Sequence, residues 1–469
     1  MFSYREAARL LNVEIFLPHL SHQPTGVSMD SRSLKSGDLF VALPGQRADG
    51  HDYLERAFFK GASGALVRKK YLESHLDFEK RARGKLFNLL PVEDPAAAMS
   101  ALANWHRQRF NVKAIGITGS VGKTTTKEFL HFLLRQENSV LANQGNFNNH
   151  LGLPLTLLRL QPEDRYCVAE LGASHRGEIR HLANLLKPEA AILTQISPAH
   201  LEGFGTLEDV YEGKLELFDA LPEGAPAVIP DDDLHLIRKA KRRNLKWVRV
   251  GSSQDADYRI SDLYVESGRV FFTLQGSRRF SFRSLAPFLA RNAAMAIAMA
   301  HLMGVPFERM PEAWEGLELP GGRFQQRILK NGVRLIDDGY NASPASFEKA
   351  LEAFEDLEGM GRKILVFSDM LELGPEEIKY HESLGRKIGL LHFDCVLAYG
   401  RCSFSAIEVL RRDYDHPCAY HFEVASHVAD YLHGFLMRDD LVLLKASRGM
   451  HIEQVGKALD SVALEKQEI

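Results

Sequence analysis

Ile115-Gly116-Ile117-Thr118-Gly119-Ser120-Val121-Gly122-Lys123-Thr124-Thr125-Thr126-Lys127 is the stretch around which the chain is organised. The apolar run Val112–Ile117 reads as a buried strand, and a glycine-rich turn follows it. From Lys123 to about Arg135, residues Phe129, Leu130, Leu133 and Leu134 fall on one helical face. Strand, glycine loop and helix with Gly-Lys-Thr at the junction make a phosphate cradle, because backbone N–H groups and the positive helix end can face a polyphosphate. Gly119, Ser120, Val121 and Gly122 form the loop. Lys123 adds a mobile charge, and the Thr124 hydroxyl, beside Thr125, can hold Mg2+. The loop is short: six residues before Lys123, where the usual P-loop has Gly, stands Ile117. A turn that merely ends a strand leaves Lys-Thr-Thr-Thr at a helix start unexplained, so the stretch reads as a nucleoside triphosphate site with a variant loop.

At 469 residues the chain is too long for one ordinary core, and two to four domains are expected. With 45% apolar and 25% charged residues it can bury large cores. A net charge of −3 offers no general attraction to nucleic acid, so polyanions must be held by local loops and helix ends. Cys167, Cys395, Cys402 and Cys418 include no Cys-x-x-Cys pair, and no disulfide is expected. The start, Met1 to Glu6, does not read as a signal peptide. The most apolar run, Ala293–Val305, is interrupted by His301 and too short to span a bilayer. The expectation is a cytoplasmic protein without stable membrane insertion.

Working outward, turn residues alternate with short β-like runs between Val27 and Val67, which predicts a small α/β module. A linking strand (Leu86–Leu90) and an Ala-rich helix (Pro95–Arg109) lead to the central unit. There strands are expected at Val112–Ile117, Val140–Ala142, Tyr166–Leu171, Ala190–Ile196 and Ala225–Ile229 with helices between, hence a mostly parallel sheet. Antiparallel hairpins are expected from Tyr258 to Arg283, and a long helix from Leu285 to Met303. The basic run Arg238–Lys246 reads as the solvated face of a helix. Pro320-Gly321-Gly322 looks like a hinge. Beyond it Leu335–Asp337, Ile364–Phe367, Cys395–Ala398 and Leu441–Lys445 read as strands of a Rossmann-like unit. The expected α/β architecture is therefore a small N-terminal module (1–85), a central P-loop-type ATPase domain with a mostly parallel sheet (86–319) and a C-terminal Rossmann-like domain (320–469).

Ligands of parallel α/β sheets gather at the carboxyl ends of strands. Glu170 ends one strand, His200 lies just past another, and Lys214 lies on the following helix. A carboxylate, an imidazole and the Thr124 hydroxyl around a nucleotide fit divalent-metal sites completed by phosphate oxygens. Each has an ordinary alternative: Glu170 as a cap, His200 as loop filler, Lys214 as a surface lysine. Asp30-Ser31-Arg32, taken alone, reads as an Asx-turn carrying a surface arginine. In the third unit, polar loops follow strands at Asp337–Ala342, Ser368–Gly374 and Lys445–Gly449.

Together these residues resemble the Mur ligases, ATP-dependent amide-forming enzymes of bacterial peptidoglycan precursor synthesis. The resemblance spans about Val27 to Val455. It rests on Thr118–Thr126, Gly145–Asn149 with Gly152–Pro154, Glu170–Gly172, His200–Gly203, Asp30–Arg32, Asp49–His51, Asp338–Ala342 and Asp369–Gly374. The last two are closest to the branch that joins D-alanyl-D-alanine to UDP-N-acetylmuramoyl-tripeptide. Ser368 and Ala446 stand where that branch usually has Gly, and the Asp-Asn-Pro-Arg motif of another branch is absent. The alternatives are that other branch, which adds the third amino acid, and a folylpolyglutamate synthase-like ligase.

The resemblance implies that the substrate carboxylate attacks the ATP γ-phosphate and that the resulting acyl phosphate is then taken by an amine. It implies catalytic roles for Lys123, Glu170, His200 and Lys214. Two Mg2+ ions would be held by Thr124 and Glu170 and by His200 and a carbamate on Lys214. Asn292, Arg323, Asp338, Tyr340 and Asn341 would join Gly119–Thr125 on ATP. Ser31, Arg32, Asp49, Gly50, His51, Asn148 and Asn149 would hold the UDP substrate. The protein is expected to act as a monomer.

Overall fold

A computed structural model describes residues 1–13, 23–45, 48–75, 77–78, 87–314, 317, 319, 321–359 and 361–461. Among these residues three sheets carry an α/β fold. The first has β1 (Val27–Ser28), β2 (Leu39–Val41), β3 (Gly64–Arg68) and β4 (Asn88–Val92) in that order, all parallel.

The second contains β5 (Lys113–Thr118), β6 (Ser139–Ala142), β7 (Asp164–Glu170), β8 (Ala190–Leu193), β9 (Pro226–Pro230), β10 (Lys246–Gly251), β11 (Tyr258–Glu266), β12 (Arg269–Leu274) and β13 (Arg278–Arg283). Its order is β13-β12-β11-β10-β9-β8-β5-β7-β6. The β11–β13 meander is antiparallel, as the alternating runs predict, and the pairs β6–β7, β8–β9, β9–β10 and β10–β11 are parallel.

The third sheet contains β14 (Gln325–Ile328), β15 (Arg334–Asp337), β16 (Lys363–Ser368), β17 (Cys395–Tyr399), β18 (Ala419–Phe422) and β19 (Leu441–Lys445). Its order is β14-β15-β19-β16-β17-β18, parallel except for the β14–β15 pair.

By packing density the chain forms two compact units. One comprises 1–116, 137–172 and 178–190, the other 117–136, 173–177 and 191–469. In the first, Phe40, Leu54, Val67, Phe87 and Leu89 form a core around the four-stranded sheet. In the second, the Lys123–Leu134 helix packs its Phe129 ring 5.1 Å from that of Trp314 and lies against the Leu289–Leu302 helix. That helix is buried on nearly every side, and its alanines allow close approach. Each fully buried Phe or Leu here contributes roughly 1.5–3 kcal/mol. A further core, including Val366, Leu397, Val442 and Leu444, lies under the third sheet.

The structure corrects several expectations. The run read as a linking strand is β4 of the first sheet, paired with β3, and Leu86 lies outside the described residues. Pro320 of the expected hinge also lies outside them. The basic run Arg238–Lys246 is only partly helical: the helix is Leu234–Ala240, and Lys246 opens β10. Lysine and arginine stems there concealed an edge of strand signal. The long helix starts at Leu289, four residues later than expected. The third sheet has β14 and β18 beyond the expected strands. Cys395 and Cys418 form a disulfide, contrary to expectation. Parallel pairing of β17 with β18, in which Val396 meets Ala419, brings two cysteines 23 residues apart to a Cα–Cα distance of 4.7 Å, and spacing along the chain gives no hint of it. Among the described residues no helix is long and apolar enough to cross a membrane.

Candidate active site

The phosphate loop is built as its composition demands. Gly119 has φ +145° and Gly122 has φ +91°, conformations that favour glycine. A Cβ on Gly119 would stand 2.1 Å from Thr194 Oγ1, and one on Gly122 2.5 Å from Asn292 Nδ2. β8 stops at Leu193, short of the expected Ile196, because Gln195 leaves the ladder to hold the loop. Its carbonyl accepts the N–H groups of Ser120 (2.8 Å) and Val121 (3.2 Å). Ser120 Oγ donates to the Ser197 carbonyl at 2.9 Å and accepts from the Ser197 N–H. These two loop amides are therefore turned inward, and the cradle narrows to the amides at the start of the helix, where the dipole is positive. Lys123 Nζ donates to the Gly119 (2.8 Å) and Ser120 (3.2 Å) carbonyls, so its charge lies over the loop. Thr124 and Thr125 are buried in the first turn. Asn292 Nδ2 donates to the Gly122 carbonyl at 3.3 Å, so this side chain braces the loop.

His200 caps the short Leu201–Phe204 helix in the left-handed conformation. Its Nδ1 meets the Glu372 carboxylate of the loop after β16. That hydrogen bond holds the Glu372 carboxyl below its ordinary value, although partial burial works the other way. With Nδ1 engaged, Nε2 is the ring nitrogen left to meet a ligand. Lys214 is 1% exposed on the Leu207–Asp219 helix; its Nζ donates to the Ala173 carbonyl at 3.1 Å and lies 5.2 Å from the Phe204 ring centre. A buried lysine of this kind is no surface residue. Among the described residues no three His, Cys, Asp or Glu side chains cluster tightly enough to hold a metal by themselves. An ion at the sequence-named residues would therefore need ligands from outside the protein.

Around β15, Asp338 accepts from the Phe324 N–H at 3.1 Å and pairs with buried Lys445. Burial pushes the Asp338 carboxyl above its ordinary value, while Lys445 and Arg323 pull it back. The Arg323 guanidinium lies 4.1 Å from the Tyr340 ring centre and that of Arg448 lies 5.4 Å from it. The Asn341 carbonyl accepts from Lys445. Lys445 and Arg323 beside Asp338, with Arg448 near the Tyr340 ring, make this loop suited to an anion. Asp369 is different: it is buried and accepts the N–H groups of Cys402 (3.1 Å) and Ser403 (2.8 Å), capping the Ser403–Tyr414 helix. Ser368 is fully buried and donates to the Tyr399 carbonyl, and Ala446 is buried too, so neither presents a side chain to solvent.

In the other unit, Glu170 is 2% exposed at the end of β7, with Oε1 accepting from Asn148 Nδ2 at 2.7 Å. Asn149 Oδ1 accepts the N–H groups of Leu151 and Gly152, which opens the Gly152–Leu157 helix. His51 is buried; its Nδ1 meets Asp49 at 2.6 Å and its Nε2 accepts the Arg68 N–H at 2.9 Å, a clasp onto the end of β3. Gly50 lies where a Cβ would be 2.6 Å from Leu43. Ser31 is buried, whereas Arg32 is 79% exposed beside Asp30, whose carboxyl its hydrogen bonds hold below the ordinary value. Of this group the Arg32 side chain is the most exposed charge, ahead of Asp49 at 46%.

Reasoning on sequence missed Gln195, Glu372 and Arg448. Glu372 and Arg448 sat in polar loops at strand ends without a role, and Gln195 gave no signal because it acts largely through its carbonyl.

Family models match most of the chain: "Mur ligase family, catalytic domain" over residues 23–107, "Mur ligase middle domain" over 117–300 and "Mur ligase, glutamate ligase domain" over 322–448. The UDP-N-acetylmuramoyl-tripeptide–D-alanyl-D-alanine ligase of Bacillus subtilis is 33% identical over 438 residues, 92% of this chain and 93% of that one. The crystal structure of MurF from Acinetobacter baumannii is similar with a TM-score of 0.83 at 27% identity, covering 98% of this chain and 99% of that chain. MurF from Thermotoga maritima in complex with ADP is similar with a TM-score of 0.76 at 29% identity, covering 93% and 97%.

Proposed function

The chain belongs to the Mur ligase family, and from that premise we infer that it is the ATP-dependent ligase joining D-alanyl-D-alanine to UDP-N-acetylmuramoyl-tripeptide in peptidoglycan precursor synthesis. The observation that carries the reading is the braced phosphate loop, with Lys123 lying over it and Thr124 at the helix start. A terminal carboxylate of the tripeptide attacks the γ-phosphorus, the β–γ bridging P–O bond breaks, and ADP leaves an acyl phosphate. The dipeptide amine then attacks the acyl carbon, and the tetrahedral intermediate expels phosphate.

Two anions must approach, so the first step needs positive charge fixed in place. Lys123 and the first-turn amides supply it around the phosphates. Mg2+, held by Thr124 and Glu170 and by His200 with a carbamate on Lys214, would screen the remaining charge. Glu372 orients the His200 ring, and Asn148 orients Glu170. Asn292 braces the loop and meets the nucleotide beside it, while Arg323, Asp338, Tyr340 and Asn341 contribute from the third domain (320–469) to the central one (86–319). The UDP end belongs to the first module (1–85), with Arg32 as its outward charge. Such substrates belong to the cytoplasm. The enzyme needs no nucleic acid and acts as a monomer.

The test is direct: incubation with ATP, UDP-N-acetylmuramoyl-tripeptide and D-alanyl-D-alanine should yield the pentapeptide nucleotide, identified by mass. Its absence, with the tripeptide substrate intact, would refute the reading. Arg32→Ala should raise the KM for the UDP substrate about tenfold, the value of one charge-assisted hydrogen bond, with kcat and the KM for ATP little changed. Equal damage to both substrates' KM, or none, would count against a dedicated UDP module.

A further inference from the structure

The helix Pro344–Glu355 opens directly after the polar loop 338–342, with Ser343 as its cap. From its middle, Lys349 reaches away from the third sheet and Nζ donates to Gln195 Oε1. The same oxygen accepts from Arg291 Nη2 at 3.3 Å, and Arg291 Nη1 pairs with Asp232 at 2.6 Å. Gln195 is the residue whose carbonyl fixes the Ser120 and Val121 amides, and Arg291 adjoins Asn292, which braces Gly122. Two rails thus hold the phosphate loop, and Lys349 ties the third-domain helix to the first of them, Gln195.

We propose that Lys349 is a positioning residue that couples the third domain to the phosphate loop through Gln195. The proposal rests on the reading of that loop as the ATP site. The geometry supports a role beyond packing. Lys349 is partly buried, yet its acceptor is a neutral amide that it shares with a guanidinium. Burial, reinforced by Arg291, lowers the Lys349 pKa to about 8; Asp232 and its own helix's Glu352 and Glu348 oppose this, and Glu348 also pairs with Lys387. An interaction held at that cost is best explained by what Gln195 positions. The ammonium donates strongly and the neutral amine weakly, so the link should loosen as pH rises through about 8.

Stability has the same sign under this role and under a purely structural one. The folded pKa lies below the unfolded value, so the unfolded chain binds more protons between about pH 8 and 10.5, and stability rises with pH across that window. Below it, charged Lys349 destabilises the fold, and Lys349→Met should raise Tm at pH 7 under either role. Binding decides. ADP affinity is measured by calorimetry on the full chain between pH 7.5 and 9.5, where the phosphates keep one ionisation state. Wild-type protein should bind progressively more weakly as pH rises. Lys349→Met should bind about fivefold more weakly at pH 7.5 with little further change. Gln195→Met should reproduce that loss, and the double variant should lose no more than either single one. Unchanged affinity and an unchanged pH profile in Lys349→Met, or full additivity with Gln195→Met, would overturn the proposal. No ADP binding by the wild type would instead overturn the functional reading on which it rests.

Discussion

Lys123→Ala loses turnover by on the order of 1,000-fold or more and keeps its fold, because it removes charge from the site of phosphoryl transfer. The lysine sits at the first helical position, its ammonium over the Gly119 and Ser120 carbonyls. Those contacts are with two carbonyls of the loop itself, while the loop's anchorage runs through Gln195, Ser197 and Asn292. The shape of the cradle should therefore survive the substitution, and circular dichroism and Tm should stay near the wild-type values. What is lost is the cation that draws negative charge from the γ-phosphate as the carboxylate approaches. Turnover within a few-fold of wild type would remove the phosphate cradle from the account.

Lys214→Ala should be similarly damaging, a loss of about 100-fold or more, and here the manner of rescue carries the information. A lysine 1% exposed, beside the Ala173 carbonyl and the Phe204 ring, has a dry setting for a small adduct. Reaction of the neutral amine with CO2 forms an N–C bond and releases a proton, and the product offers two anionic oxygens of the kind Mg2+ prefers. An ammonium at the same place would repel the ion. Formate or acetate should therefore restore part of the activity of Lys214→Ala. With ¹³C-bicarbonate, wild-type protein should give a carbamate NMR signal that the variant lacks. Rescue by alkylamines in place of acids, with no carbamate signal in the wild type, would show that the lysine works as an amine.

How much could be read beforehand followed the range of the interactions. Gly119, Gly122 and Lys123 were legible because loop, cap and helix are contiguous, and each glycine is demanded by its own φ and its nearest neighbour. Glu372 was not assigned because its partner His200 is 172 residues away. Gln195 escaped because its hold on the loop runs through its backbone carbonyl, which every residue type has, and its side chain meets Arg291 and Lys349 96 and 154 residues away. Asn149, Asp49 with His51, and Asp369 lie in motifs, yet their side chains cap a helix, clasp a strand end and cap another helix. A polar residue at a strand end has local amides to satisfy as well as ligands, and sequence does not rank the two. β10 was hidden by the basic residues that lead into it, and the Cys395–Cys418 bond by the helix between β17 and β18.

Phosphate release from ATP is the measurement closest to the central claim. It is followed with UDP-N-acetylmuramoyl-tripeptide present, first without D-alanyl-D-alanine and then with it. The account predicts little steady release without the dipeptide, and one phosphate per peptide bond formed once it is added. Steady release that needs neither the tripeptide nor the dipeptide would mark the chain as an ATPase of another kind and contradict the account.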